Sequence, residues 1–114
     1  MSYFVYIDDE EEIGELVGEL FFPYRDLEYM YFCEINKALS FIEENDVRAV
    51  LCDQNMPDGL GSDIANEIPE SIIFAIATGN NNNIKENNKI NRILNKPFFE
   101  EEFTQYLEYI LKES

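Results

Sequence analysis

The chain contains no histidine. That absence removes a His-based general base, a Ser-His-Asp triad and imidazole metal ligands. Any phosphohistidine in its chemistry must therefore belong to a partner. Basic residues are scarce as well. Eight Lys and Arg stand against 24 Asp and Glu, a formal net charge of −16. Such a charge opposes direct nucleic-acid binding and adsorption to an anionic leaflet, because both surfaces are negative. No apolar run approaches the roughly 20 residues of a membrane span. The N-terminus has neither the basic segment nor the apolar core of an export signal, so the expected location is cytoplasmic.

Cysteine is also rare. Cys33 and Cys52 lie near the ends of two apolar runs. Two isolated sulfurs with no histidine beside them make a poor metal site. They read as small buried hydrophobes. A disulfide would need an oxidising compartment and Cα atoms within about 7 Å. The strands that carry these cysteines are expected to be separated by a third, so both thiols should be free.

What the chain does contain is four apolar runs with polar ends. Tyr3–Ile7 leads into Asp8 and Asp9, Val47–Cys52 into Asp53, Ile72–Ala77 into Thr78, and Ile90–Leu94 into Asn95, Lys96 and Pro97. Helical periodicity fills the gaps. Ile13, Leu16, Val17, Leu20 and Phe21 give one apolar face over about Glu10 to Phe22, stopped by Pro23. Ile35, Ala38, Leu39 and Ile42 mark a helix from about Ile35 to Asn45. Phe99, Phe103, Tyr106, Leu107, Ile110 and Leu111 mark a terminal one. A short helix is expected near Ser62–Ile68 before Pro69, and a poor Asn-rich one near Asn83–Asn88. The Asn80–Asn83 run reads as a solvated loop.

A fifth strand falls near 27–32, where Glu28 and three aromatics suit a place nearer a sheet edge. The resulting order, βαβαβαβαβα, predicts an α/β fold with a parallel sheet covered by helices on both faces. The nearly continuous apolar runs 47–52 and 72–77 suit its centre. At 114 residues and 46% apolar content the chain fits one domain. Roughly 60–70% of the unfolded surface can be buried at that size. Five strands and five helices use the whole length, 1–114, with no linker left over.

In an open parallel sheet, ligands bind outside the carboxyl ends of the strands. Asp8, Asp9 and Asp53 would converge there with Thr78 and Lys96. Two unit charges about 4 Å apart repel by roughly 4 kcal/mol at an effective dielectric near 20. Three crowded carboxylates therefore call for a cation or raised pKa values. Mg2+ prefers oxygen and is held by one or two carboxylates together with waters and phosphate oxygens. Metal, ammonium and hydroxyl could bind three oxygens of one phosphoryl group, while one carboxylate acts as nucleophile.

Each piece also has a plainer explanation. Asp8 and Asp9 could complement a helix dipole ahead of Glu10–Glu12. Asp53 could be a turn residue before Met56-Pro57-Asp58-Gly59. Thr78-Gly79 could be a simple strand-to-loop junction, and Lys96-Pro97 could be solvated. Coincidence of all four at successive strand ends is what favours chemistry.

The ordered set resembles the receiver domains of two-component response regulators. It consists of Asp8-Asp9, Asp53 within Leu51-Cys52-Asp53-Gln54-Asn55-Met56-Pro57, Thr78, and Asn95-Lys96-Pro97-Phe98. The resemblance runs from the first strand to the last helix. It implies a flavodoxin-like (βα)5 three-layer sandwich with strand order 2-1-3-4-5, and a stand-alone receiver over the whole chain. It implies Asp53 as phospho-acceptor, with Mg2+ held by Asp8, Asp9, Asp53 and the Asn55 carbonyl. Thr78 and Lys96 would bind phosphoryl oxygens, and the Lys96-Pro97 peptide would be cis.

Some features depart from the family. Ile93 stands where an aromatic switch residue is common. The segments on either side of Thr78 are short, which implies trimmed third and fourth helices. Asn55 and Asn80 occupy positions that influence dephosphorylation rate in the family.

The leading expectation is thus a non-enzymatic signalling domain that catalyses only its own phosphorylation and dephosphorylation. A histidine kinase or histidine phosphotransfer protein would supply the phosphoryl group, and an output protein would sense it. A phosphorylation-independent binding module of the same fold is the alternative, prompted by Ile93 and the Asn-rich region. A small Mg-dependent phosphohydrolase is a third, though Asn55 stands where phosphatases with an aspartate nucleophile carry a second acid. A calcium EF-hand over Asp53–Ile64 fails, because Gly59 falls one residue late and Ile64 replaces the bidentate glutamate.

Overall fold

In a computed structural model, residues 2–24, 26–79, 84 and 87–113 are described. Five parallel strands form the sheet: β1 (Tyr3–Ile7), β2 (Glu28–Phe32), β3 (Val47–Asp53), β4 (Ile73–Thr78) and β5 (Ile90–Asn95). Their spatial order is β2-β1-β3-β4-β5. This is the flavodoxin-like order expected. Three α-helices accompany them: α1 (Glu11–Phe21), α2 (Ile35–Glu44) and α3 (Glu100–Glu113).

The third helix is trimmed, as expected, to a 3-10 turn over Gly61–Glu67. The helix anticipated near Asn83–Asn88, together with the Asn80–Asn83 run, lies outside the described residues except for Ile84, Asn87 and Asn88. None of those three is helical. The described part therefore has three α-helices and one 3-10 helix where five helices were expected.

Alternation along the strands builds the two cores. Val5, Ile7, Val50, Cys52, Phe74 and Ile76 point to one face, where Ile35, Ala38 and Ile42 of α2 and Ile64 and Ala65 of the 3-10 turn cover them. Phe4, Tyr6, Ala49, Leu51, Ala75 and Ala77 point to the other, under Val17 and Phe21 of α1 and Phe103, Tyr106, Leu107 and Ile110 of α3. Period-2 alternation is what sends odd and even residues to opposite layers. Central strands β1, β3 and β4 are buried on both faces, while β2 and β5 are only partly so. That matches their aromatic and polar content at the two edges.

Several local expectations need correction. Leu16, placed on the apolar face of α1, is exposed, whereas Gly14 is buried. A side chain at Gly14 would put its Cβ 2.6 Å from Tyr31 Cε1. The helix therefore rests on Gly14, Val17 and Phe21, and that rotation turns Leu16 outward. Phe99 precedes α3 and is 66% exposed. Its carbonyl accepts the Phe103 N–H at 3.0 Å, so it contributes main chain rather than core. Both cysteines are free, but Cys33 is exposed because β2 ends one residue earlier; only Cys52 is buried.

The loop after β3 is fastened at two points. Gln54, fully buried, donates through Nε2 to Ser62 Oγ at 2.9 Å and accepts the Ser62 N–H at 2.8 Å. Asp58 accepts the N–H of Ile35 at 3.1 Å, capping α2 from a distant loop. Glu34, the residue before α2, makes no side-chain cap bond of its own. An N-terminal helical N–H that lacks an intrahelical partner needs such an acceptor.

Candidate functional site

The strand register brings the polar ends to one rim. Ile7 pairs with Phe32 on one side and Cys52 on the other, Asp53 with Ala77, and Thr78 with Asn95. Asp8 and Asp53 thus emerge from adjacent central strands, with Thr78 and Lys96 beside them. The Lys96 N–H donates to the Thr78 carbonyl at 2.9 Å, carrying the β4–β5 ladder one step further. The peptide between Lys96 and Pro97 is cis.

Asp8 is completely buried. Its Oδ2 accepts from Tyr6 Oη at 2.5 Å and from Lys96 Nζ at 2.9 Å. Its Oδ1 accepts from the main-chain N–H of Glu10 at 2.9 Å. The Asp8 carbonyl accepts from Tyr31 Oη at 2.5 Å, and its N–H donates to Phe32 O at 3.1 Å. A carboxylate cut off from bulk solvent by burial needs such donors to offset its lost hydration.

Lys96 Nζ also lies 3.6 Å from Asp53 Oδ2, so a single ammonium spans the two carboxylates. Burial works to lower its pKa. The hydrogen bond to Asp8 and the charge of Asp53 outweigh that and move it upward. Lys96 therefore stays protonated at neutral pH.

Asp53 behaves differently. Burial pushes its carboxyl up, Lys96 pulls it down and Asp8 pushes it up again, for a result of about 6. The Asn55 N–H donates to this carboxylate and favours its charged form. Asp53 closes one side of a cleft of about 360 Å³ lined also by Asp9, Glu10, Asn55, Gly79 and Lys96. Thr78 is buried at the end of β4, and it is the next residue, Gly79, that lines the cleft.

The carboxylates of Asp8, Asp9 and Glu10 lie with ligand oxygens within 4.8 Å of one another. Asp9 and Glu10 are exposed at the mouth. An oxygen-only donor set of this density suits a hard divalent cation such as Mg2+. Asp53 shares the cleft with Asp9 and Glu10, and Asn55 lies next to it. All six residues expected at the site are therefore neighbours at one rim.

Sequence reasoning missed Glu10 as a cleft residue, since it sits in an acidic run that reads as helix capping. It also missed Tyr6 and Tyr31, which look like ordinary strand aromatics. Their only signal is the two-residue spacing of Tyr6 from Asp8, which puts both on one face.

No protein-family model and no curated protein matches the sequence. Solved structures do match its fold. A CheY-like response regulator receiver domain from Methylobacillus flagellatus superimposes with a TM-score of 0.83 at 18% identity, covering 96% of this chain and 98% of that one. The signal receiver domain of an HD domain-containing protein from Pseudomonas fluorescens Pf-5 gives 0.81 at 20% identity, covering 97% and 87%. A two-component response regulator from Clostridium difficile gives 0.80 at 15% identity, covering 98% and 97%.

The chain is thus a parallel α/β protein of the flavodoxin-like class. Within that class its fold is that of response-regulator receiver domains.

Proposed function

We propose that the chain is a phospho-accepting receiver of a two-component signalling system. An Asp53 oxygen attacks the phosphorus of a partner's phosphohistidine. The P–N bond breaks as the new P–O bond forms, and the imidazole leaves. The product is an acyl phosphate on Asp53. The observation that carries this reading is Lys96, whose ammonium bridges Asp8 and Asp53 across the cleft at 2.9 and 3.6 Å.

Asp8, Asp9, Asp53 and the Asn55 carbonyl would hold Mg2+, with Glu10 at the same mouth. The ion supplies charge neutralisation for the transferring phosphoryl group. Lys96 would move from Asp53 to a phosphoryl oxygen, and the Thr78 hydroxyl would donate to another. Asp8 keeps Lys96 charged and aimed while this happens. No external substrate is turned over. A histidine kinase or histidine phosphotransfer protein is the donor, in the cytoplasm, and an output protein responds to the modified surface.

The receiver fold of the matched structures supports this assignment, and so does the ionic pattern at the rim. Among the described residues no helix is long and apolar enough to cross a membrane. Incubation with acetyl phosphate and Mg2+ should add one phosphoryl mass to the protein, and Asp53→Asn should prevent it. Labelling that persists in the variant would refute the assignment. A wild-type protein that takes no label would favour a binding module of the same fold.

A further inference from the structure

We propose that Tyr6 is a positioning residue that holds the Asp8 carboxylate in the orientation needed for a divalent cation. This rests on the receiver reading above. Tyr6 lies two residues before Asp8 in β1, on the face covered by α1 and α3. Its ring packs against Tyr31 at 6.3 Å and Phe98 at 6.1 Å between centroids. A phenylalanine would fill that slot equally well. The hydroxyl is the part that packing does not explain, and it donates to Asp8 Oδ2 at 2.5 Å.

Three donors hold the Asp8 carboxylate, and they differ in permanence. Lys96 is shared with Asp53 and, in the proposed reaction, turns toward the phosphoryl group. Glu10 sits in an exposed turn at the start of α1. Tyr6 is fully buried in a central strand. Its hydroxyl points at Asp8 Oδ2 from within the packed layer, so this donor is fixed by the core rather than by a mobile segment. Tyr31 stacks on Tyr6 and donates to the Asp8 carbonyl at 2.5 Å, so one aromatic pair fixes both the side chain and the main chain of Asp8.

An ionised carboxylate has about four lone-pair sites. Three are occupied by these donors, and the remaining one suits a cation. A donor behind a metal-binding carboxylate fixes its direction, and loss of such a donor typically weakens binding about 10–100-fold.

The test measures Mg2+ binding to the unphosphorylated protein by calorimetry. It compares wild type, Tyr6→Phe and Tyr31→Phe, each checked for folding by circular dichroism. Tyr6→Phe should bind about 10-fold or more weakly, and Tyr31→Phe should lose less. The assigned 13Cζ resonance of Tyr6 in the wild-type protein should shift as Mg2+ is added. Equal affinity of wild type and Tyr6→Phe would overturn this inference alone, as would an equal loss in Tyr31→Phe. If Tyr6→Phe does not fold, the wild-type titration decides: a moving Tyr6 resonance supports the role and a stationary one overturns it. Failure of wild type to bind Mg2+ at all would overturn the receiver reading together with this inference.

Discussion

The ammonium of Lys96 lies 2.9 Å from the carboxylate of Asp8, a residue with no solvent exposure. Breaking a buried pair by removing one partner leaves an uncompensated charge and costs about 3–5 kcal/mol. Lys96 also offsets the charge of Asp53. Lys96→Met should therefore lower stability in metal-free buffer by about 3 kcal/mol, with much of it recovered on adding Mg2+. Urea denaturation with and without Mg2+ checks this. Labelling by acetyl phosphate should be lost or severely slowed in the same variant.

Asp53 gives a pH dependence of definite sign. Its carboxyl is raised from 3.8 to about 6 in the folded protein. Between those values the folded state binds more protons than the unfolded one, so metal-free stability falls as pH rises through that window. Below the ordinary carboxylate value the penalty is absent, and above about 6 it is complete. Asp53→Asn removes the buried charge. The variant should be more stable than wild type at pH 7, by on the order of 2 kcal/mol, and should match it near pH 4. Denaturation at the two pH values tests both halves. By the same linkage, Mg2+ affinity of the wild type should weaken below about pH 6.

Two glycines on α1 should respond differently to alanine. On helix propensity alone, each Gly→Ala change gains about 0.8–1 kcal/mol. At Gly14 the new Cβ would sit 2.6 Å from Tyr31 Cε1 and 2.7 Å from Cδ1. The ring that must give way is the one whose hydroxyl holds the Asp8 carbonyl. Overpacking of this kind costs about 1–3 kcal/mol, so Gly14→Ala should be a net loss. At Gly18 the nearest atom, Tyr29 Cε2, is 3.1 Å away and a small ring shift suffices. Gly18→Ala should be neutral or slightly stabilising. Thermal melts of the two variants side by side check the contrast.

The cap on α2 comes from the loop after β3, 23 residues away in sequence, through Asp58 and the Ile35 N–H. Replacing an N-terminal cap by alanine costs about 0.5–2 kcal/mol. Asp58→Ala should fall near 1 kcal/mol in that range, and Asp58→Asn should retain most of the stability because its side-chain oxygen still accepts. Chemical denaturation of both variants measures the difference.

These contrasts mark the boundary between what could be read along the chain and what could not. The five strands and the three long helices follow from local periodicity, and every expected site residue stands at a strand's carboxyl end. Parallel topology alone gathers such positions on one rim. Leu16 and Val17 both fit the apolar period of α1, and only the closeness of Gly14 to Tyr31 decides the rotation. Asp58 cannot be recognised as a cap along the chain because its partner belongs to a different element. Tyr6 reads as a hydrophobe, and its hydroxyl gains a meaning only when Asp8 is found buried beside it. In each case the missing information is a tertiary contact, which no residue-by-residue pattern contains.

Tyr106 offers a case where removing a polar group should help. Its ring lies in the core between Phe4 and Phe103, and its buried hydroxyl has no hydrogen-bond partner among the described residues. Burial pushes its pKa far above the ordinary phenol range, outweighing the opposing charge of Arg92. A buried donor left unpaired costs about 1–3 kcal/mol relative to its hydrated form in the unfolded chain. Tyr106→Phe removes that cost, keeps the ring contacts and leaves a void no larger than the lost oxygen. The variant should be more stable by about 1 kcal/mol, with Mg2+ binding and phosphoryl labelling unchanged, since the residues that line the cleft lie outside α3. A loss of stability in denaturation experiments would show instead that the hydroxyl is satisfied in the folded protein.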